Sequence, residues 1–143
     1  MTLWSSWQFW AVLSAIFAAL TAIFAKVGVE NINSDLATFI RTIVVIVTLG
    51  FLLALTGEFQ APGKISGRTY LFLVLSGLGT GASWLCYFRA LKIGEAAKVA
   101  PIDKLSVVLV AIFGVMFLGE RLTTPNWFGI ALIAVGAVLV AYR

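Results

Sequence analysis

The residues of this sequence that could bind a small solute lie within its apolar stretches and do not form one compact motif. They offer hydroxyls, two aromatic rings and charges of both signs: Thr80, Ser83, Trp84, Tyr87, Ser106, Arg41, Asp103 and Lys104. Hydroxyl and charged groups can hydrogen-bond a polar solute, and aromatic rings can stack on it. We therefore treat these residues as the candidate binding residues. Because both signs of charge occur, neither cationic nor anionic solutes are excluded.

Covalent and metal chemistry have few possible carriers. The sequence has no His and a single Cys, Cys86. It therefore cannot form a His-liganded metal site, a Ser-His-Asp triad, a Cys-His dyad or an internal disulfide. No nucleophile with a neighbouring base can be identified. We expect a protein that is not an enzyme and that uses no metal or other cofactor.

The composition indicates the solvent in which the chain folds. Of its 143 residues, 62% are hydrophobic and 11% are charged, and the mean hydropathy is +1.06. Soluble domains are only about 45–50% apolar. The net charge of +4 comes from scattered basic residues and not from a patch that would bind nucleic acid. The expected partner is a lipid bilayer, and no nucleic acid.

Five apolar stretches, separated by polar, Gly or Pro residues, are long enough to cross a bilayer, since a spanning helix needs about 20 apolar residues. The predicted helices cover about residues 7–27, 36–55, 70–91, 99–118 and 127–142 of one domain, residues 1–143. The sequence thus predicts an all-α, multi-pass integral membrane protein with five transmembrane helices.

The third predicted span has two different faces. Its hydroxyl stripe consists of Ser76, Thr80, Ser83 and Tyr87. Its leucine face consists of Leu71, Leu75, Leu78 and Leu85. These residues recur at helical spacing, and polar residues in a membrane usually face protein or water, so the hydroxyl stripe could line a cavity beside Trp84. The alternative is close helix packing without a cavity, because Gly77 and Gly81 have the spacing that brings backbones together.

The second and fourth spans carry the charges. Arg41 lies about five residues into the second span, and Asp103 and Lys104 lie about four and five residues into the fourth, roughly 6–8 Å from the helix starts. Both spans begin on the same side of the membrane, so Arg41 could pair with Asp103. Long Arg and Lys side chains can instead extend to the interface, whereas the short Asp103 side chain cannot.

The first and last spans carry rows of small residues in place of charges. The rows are Ala11, Ser14, Ala18, Thr21 and Ala25 in the first span, and Ala134, Ala137 and Ala141 in the last. Membrane helices associate by close packing at such residues. We expect both spans to form scaffold or subunit interface.

The loops give a weak orientation signal. Lys64, Arg68 and Arg121 fall on one side of the membrane, and Lys26, Arg89, Lys92, Lys98 and Arg143 fall on the other. The excess of basic residues favours the second side, with the C-terminus, as the cytoplasmic one. A count of three against five is close enough that molecules inserted in both orientations could coexist.

Four motifs follow one another in the second half of the chain. YFRALKIG (87–94) closes the third span, VAPI (99–102) opens the fourth, LGE (118–120) closes it, and WFGIALIAVG (127–136) makes up much of the fifth. In this order and spacing, the sequence resembles one repeat of the EamA-type drug/metabolite transporter superfamily. The resemblance covers essentially the whole chain.

The resemblance implies a secondary transporter that moves a small organic metabolite or drug-like solute across the cytoplasmic (inner) membrane. Members typically contain two five-helix repeats of opposite orientation, whereas this chain contains one. A homodimer, antiparallel or parallel, would supply the second unit for alternating access, as would a partner encoded elsewhere. The alternative function is a non-transporting membrane subunit that binds and stabilises a partner membrane protein.

Overall fold

The computed structural model describes residues 6–60, 63 and 65–142. The regular structure in these ranges is helical, which confirms the predicted all-α class. Five helices are long and apolar enough to cross a membrane, namely Trp7–Val29, Ser34–Thr56, Gly67–Ile93, Ala96–Leu118 and Thr124–Ala141. Every helix limit lies within three residues of the predicted one. Lys64 and Arg143, used in the orientation count, lie outside the described residues, and the orientation stays a prediction.

Four of the spans are single α-helices and the fourth is composite. The single helices are α1 (Trp7–Val29), α2 (Ser34–Thr56), α3 (Gly67–Ile93) and α6 (Thr124–Ala141). The fourth span consists of α4 (Ala96–Asp103), α5 (Ser106–Phe113) and a π-helical turn (Gly114–Leu118). The sequence did not predict this division, because a proline near the start of an apolar run is also compatible with an uninterrupted helix.

The ends of α2 follow from local side-chain and backbone chemistry. At its start, the Asn33 side chain accepts hydrogen bonds from the backbone N–H groups of Asp35 and Leu36, at 2.8 and 3.2 Å. These bonds satisfy two of the donors that a helix start leaves free. At its end, Gly57 takes a left-handed conformation, with a φ of 68°, which costs glycine little because it has no Cβ.

The LGE motif closes the fourth span by a similar device. Gly119 has a φ of 70°, and the next N–H, of Glu120, donates to the carbonyl of Gly114 at 3.1 Å. The Glu120 carboxylate folds back over Gly114, where it would lie 2.6 Å from an added Cβ. The motif therefore ends the helix with the left-handed Gly119, and its Glu120 uses the space left by the missing side chain of Gly114, one turn earlier.

The chain divides into two compact units, each of which is described by itself. One unit is Ala25–Lys92 and contains α2 and α3. The other consists of Met1–Phe24 with Ile93–Arg143, and in it α4 and α5 pack against α6. The assignment of residues 1–143 to a single domain stays a prediction.

The exposed surface of the spans is apolar. Large side chains such as Phe24, Leu78 and Phe128 are about two-thirds exposed, at 69%, 66% and 66%. Among the residues that the structure describes, the buried apolar ones are few and mostly small: Ala22, Ala25, Val29, Ala37, Phe88, Leu91, Ala111 and Ala137. Small residues allow close contact between helices, and exposed apolar surface is suited to lipid as the solvent.

Candidate functional site

Arg41 on α2 lies over an aromatic ring of α3. The Cζ atom of its guanidinium is 3.9 Å from the centroid of the Trp84 ring and 5.8 Å from that of the Phe88 ring. Trp84 and Phe88 are four residues apart, so they occupy successive turns on one side of α3. The negative face of an aromatic ring attracts a cation at these distances. The structure therefore unites two candidate binding residues, Arg41 and Trp84, that the sequence did not predict to be in contact.

The stacking offsets part of the cost of placing Arg41 in a membrane helix. A desolvated cation–π contact is worth about 2 kcal/mol or more. An arginine at the centre of a membrane helix costs about 2.5–3.5 kcal/mol on insertion scales, and Arg41 lies nearer to the helix start, about two turns from Ser34. The ring contact lowers the cost of this charge but supplies no hydrogen-bond acceptor for the guanidinium.

One nitrogen of the Arg41 guanidinium has no such acceptor. Among the residues that the structure describes, Nη1 of Arg41 is buried and makes no hydrogen bond. Buried donors in proteins almost always have partners, so an unpaired one at a charged group is unusual. This atom marks a point at which a negatively charged or hydrogen-bond-accepting group could bind.

An acidic residue of the same unit, Asp35, is already paired with another arginine. Arg89 on α3 donates from Nε to Oδ1 of Asp35 at 3.0 Å and from Nη2 to Oδ2 at 2.7 Å. This two-bond arrangement is the geometry that makes arginine–carboxylate pairs specific. Arg41 lies six residues after Asp35 on α2, and Trp84 lies five residues before Arg89 on α3. The ion pair and the ring contact are therefore two points of one antiparallel alignment of α2 with α3.

Two lysines make further hydrogen bonds near the start of α2 and the end of α3. Lys26 donates to the backbone carbonyl of Leu91 at 2.8 Å, and Lys92 donates to the carbonyl of Ile32. Leu91 is fully buried. These bonds join the end of α1, the following loop and the end of α3.

From sequence, the basic residues here, including Arg89 and Lys92 of the YFRALKIG motif, indicate only the orientation of the chain in the membrane. A partner for them could have been found, because Asp35 lies in the first turn of α2, on the side of the membrane where those basic residues lie.

The hydroxyl stripe of α3 differs from the side that contacts Arg41. Ser76, Thr80 and Ser83 are exposed, and the Thr80 hydroxyl donates to the Ser76 carbonyl at 3.0 Å. Tyr87 is partly buried. The residues of the leucine face are also exposed, so exposure within one chain does not distinguish a cavity-lining stripe from a lipid-facing one. The proposed lining role of the stripe stays a prediction.

The other charged candidates lie where the fourth span is interrupted. The span contains Pro101, which has no N–H to donate to the carbonyl one turn earlier. After it, the N–H of Leu105 bonds to the carbonyl of Ile102 at 3.0 Å, three residues back instead of four. The result is a tighter turn between α4 and α5. Asp103, Lys104 and Ser106 all lie at this interruption.

At the interruption, Asp103 and Lys104 pair with each other. The distance between Lys104 Nζ and Asp103 Oδ2 is 3.0 Å, and the Asp103 side chain is 33% exposed. Ser106 is exposed. Arg41 and Asp103 belong to different units, and the predicted ion pair between them stays a prediction. No cluster of three or more metal-ligating side chains occurs among the described residues.

Comparison with known proteins gives a family over nearly the whole length. The sequence profile of the EamA-like transporter family matches residues 5–142. An uncharacterized transporter in the cobO 3′ region of a Sinorhizobium species is 67% identical over 136 residues, which are 95% of this chain and 96% of that protein. No solved structure matches the chain significantly.

More distant relatives occur in two lengths. An uncharacterized protein of Methanocaldococcus jannaschii is 28% identical over 130 residues, which are 91% of this chain and 92% of that protein. The uncharacterized transporter YxxF of Bacillus subtilis is also 28% identical, over 94% of this chain, but the match covers only 42% of YxxF. The same five-helix unit is therefore matched in chains of similar length and in a chain more than twice as long.

Thiol labelling tests the predicted lining role of the hydroxyl stripe. With the exposed Cys86 first replaced by Ser, single cysteines at Ser76, Thr80 and Ser83 should react with a membrane-impermeant maleimide in intact membranes. Cysteines at Leu71, Leu75 and Leu78 are the matched controls on the same helix and should stay unreactive, because lipid excludes the reagent. Equal protection of both sets would show a dry, packed helix and would remove the stripe from the binding site.

Proposed function

Because the chain belongs to the EamA-like transporter family, we propose that it is a secondary transporter that moves a small organic metabolite or drug-like solute across the cytoplasmic (inner) membrane. The chain is a multi-pass membrane protein with five candidate spans. Family membership supports transport in general. The candidate binding residues support a solute with polar or charged groups, because they combine hydroxyls, rings and charges.

The observation that carries this proposal is the interruption of the fourth span at Lys104–Leu105. Secondary transporters commonly bind their substrates at irregular points of membrane helices. In this chain the irregular point is one tight turn, whose N–H groups still bond to carbonyls three residues back. Here the break follows Pro101 and carries an acid, Asp103, and a base, Lys104. A purely structural membrane helix has no need of charges or of irregular backbone at this position.

We propose further that the working transporter is an antiparallel homodimer, in which each chain supplies one five-helix unit. Alternating access in transporters of this kind commonly occurs between two repeats of inverted orientation. The longer relative has room for a second unit, whereas two relatives of similar length do not. The nearly even count of basic residues on the two sides supports insertion in both orientations. The rows of small residues on α1 and α6 would provide the interface.

The alternative is a non-transporting subunit that stabilises a partner membrane protein. It would use the same rows of small residues and would need no polar pathway. Purified protein in proteoliposomes separates the two functions. We expect uptake of at least one solute from a panel of metabolites and toxic organic compounds, above the level of protein-free liposomes. A protein that is folded and inserted but transports none of them would contradict the transporter proposal.

The antiparallel arrangement predicts a mixed topology. Single cysteines in the loop near Glu30 and in the loop near Arg121, in a Cys86→Ser background, should each be labelled partly from the outside and partly from the inside of intact cells. Roughly equal fractions are expected if both orientations insert equally. Labelling of each site from one side only would exclude the antiparallel homodimer and leave a parallel dimer or a separate partner.

Asp103 should be needed for transport and not for folding. Asp103→Asn keeps the size of the side chain and removes its charge, so we expect normal insertion and a loss of flux of at least about tenfold, or a shifted pH profile. Glu95→Gln is the control, because it removes the acid of an exposed pair with Lys98 outside the interruption. Unchanged flux and pH profile in Asp103→Asn would show that the acid takes no part in transport.

A further inference from the structure

Four other charged groups of the unit that contains Arg41 already have partners. Asp35 accepts from two nitrogens of Arg89, and Lys26 and Lys92 donate to backbone carbonyls. In this unit the described residues give Arg41 two aromatic rings and no carboxylate. Its positive charge is thus held in place by the rings but is not neutralised within the unit.

The way in which Arg41 is held leaves one donor of its guanidinium unpaired. Ring stacking uses the flat face of a guanidinium, while its N–H groups point outward in the plane. One of these nitrogens, Nη1, is buried and has no hydrogen-bond partner among the described residues. The guanidinium therefore keeps at least one unpaired donor, for which a planar or tetrahedral oxyanion is a suitable acceptor.

We propose that the guanidinium of Arg41 binds the anionic group of a small organic solute, a carboxylate or a phosphate, and that Trp84 positions it. The proposal deepens the transporter function and rests on it for the claim that the bound solute is carried. It selects one sign of charge where the sequence left both open. Trp84 acts through Arg41 and is a positioning residue.

Two other groups could accept a hydrogen bond from Nη1 of Arg41, namely a fixed acidic side chain and a lipid headgroup. Of the acids of this unit, Asp35 is paired twice with Arg89, and Glu30 and Glu58 lie exposed in the loops that follow α1 and α2. A lipid phosphate would be reached most easily by an extended side chain at the interface. Arg41 instead lies roughly 10 Å along α2 from Ser34, at about 1.5 Å per residue, with its guanidinium folded against α3.

The test is ligand binding by the purified full chain in nanodiscs of phosphatidylcholine, which has no net charge. The probes are benzoate and phenyl phosphate, each paired with a neutral counterpart, benzamide and phenol, and extended to other carboxylates and phosphate esters with their amides and alcohols. A ligand that binds the folded state raises the unfolding temperature. We expect anionic probes to stabilise the protein and to bind at least about tenfold more tightly than their neutral counterparts, with affinity falling as salt rises.

Three variants assign the effect to Arg41. Arg41→Gln should weaken binding of the anionic probes by about tenfold or more, and Arg41→Lys should bind with intermediate affinity because it keeps the charge but loses the planar pair of donors. Arg68→Gln is the matched control, because the Arg68 guanidinium also lies near a ring, 5.8 Å from that of Phe72, at the start of α3. We expect its affinity to stay within about twofold of wild type, which is less than half a kcal/mol.

Several results would overturn the assignment. They are equal affinity for charged and neutral probes, unchanged affinity in Arg41→Gln, or the absence of binding by any anionic probe. Stabilisation only when phosphatidylglycerol is added to the nanodiscs would assign Arg41 to a lipid headgroup and would also reject the solute site. If Arg41→Gln does not fold, two other results test the proposal. They are the preference of the wild type for anionic over neutral probes and the affinity of Arg41→Lys for the anionic probes. Arg41-dependent binding without flux of the bound anion in proteoliposomes would instead contradict the transporter function and leave the site standing.

Discussion

The need to compensate charge inside the chain governs the arrangement of α2 and α3. A membrane offers no water to solvate charged groups, so each must find a partner in the protein or at the interface. The two-bond pair of Asp35 with Arg89 joins the start of α2 to the last turns of α3, with side chains that are 44% and 62% exposed. Farther along the same two helices, Arg41 meets Trp84. The candidate site thus lies beside an ion pair that is not part of it.

The fourth span handles charge differently. Asp103 and Lys104 are neighbours in sequence and pair with each other at the point where the helix is interrupted. Arg41 is stabilised by rings and by alignment between helices, whereas Asp103 is stabilised locally. The two sites therefore differ in what holds the charge, a contact between two helices at Arg41 and a sequence neighbour at Asp103.

The sequence predicted the helices well because hydropathy is a property of each segment by itself. All five spans and their limits to within three residues follow from runs of about 20 apolar residues. The pairing of Asp35 with Arg89 and of Arg41 with Trp84 depends on how two helices align, which periodicity within one helix does not contain. The interruption after Pro101 was missed for a related reason, since a proline in the first turn of a helix and one inside it look alike in sequence. Hence the candidate residues could be named in advance, but their partners could not.

Trp84 and Phe88 lie one helical turn apart beneath the same guanidinium, with ring centroids at 3.9 and 5.8 Å. Their Cα atoms are separated by about 6 Å along the helix axis, at about 1.5 Å per residue. Tryptophan is the stronger partner for a cation, so the stronger of the two rings is the one nearer to the guanidinium. The second ring extends the aromatic surface beneath Arg41 over a further turn of α3.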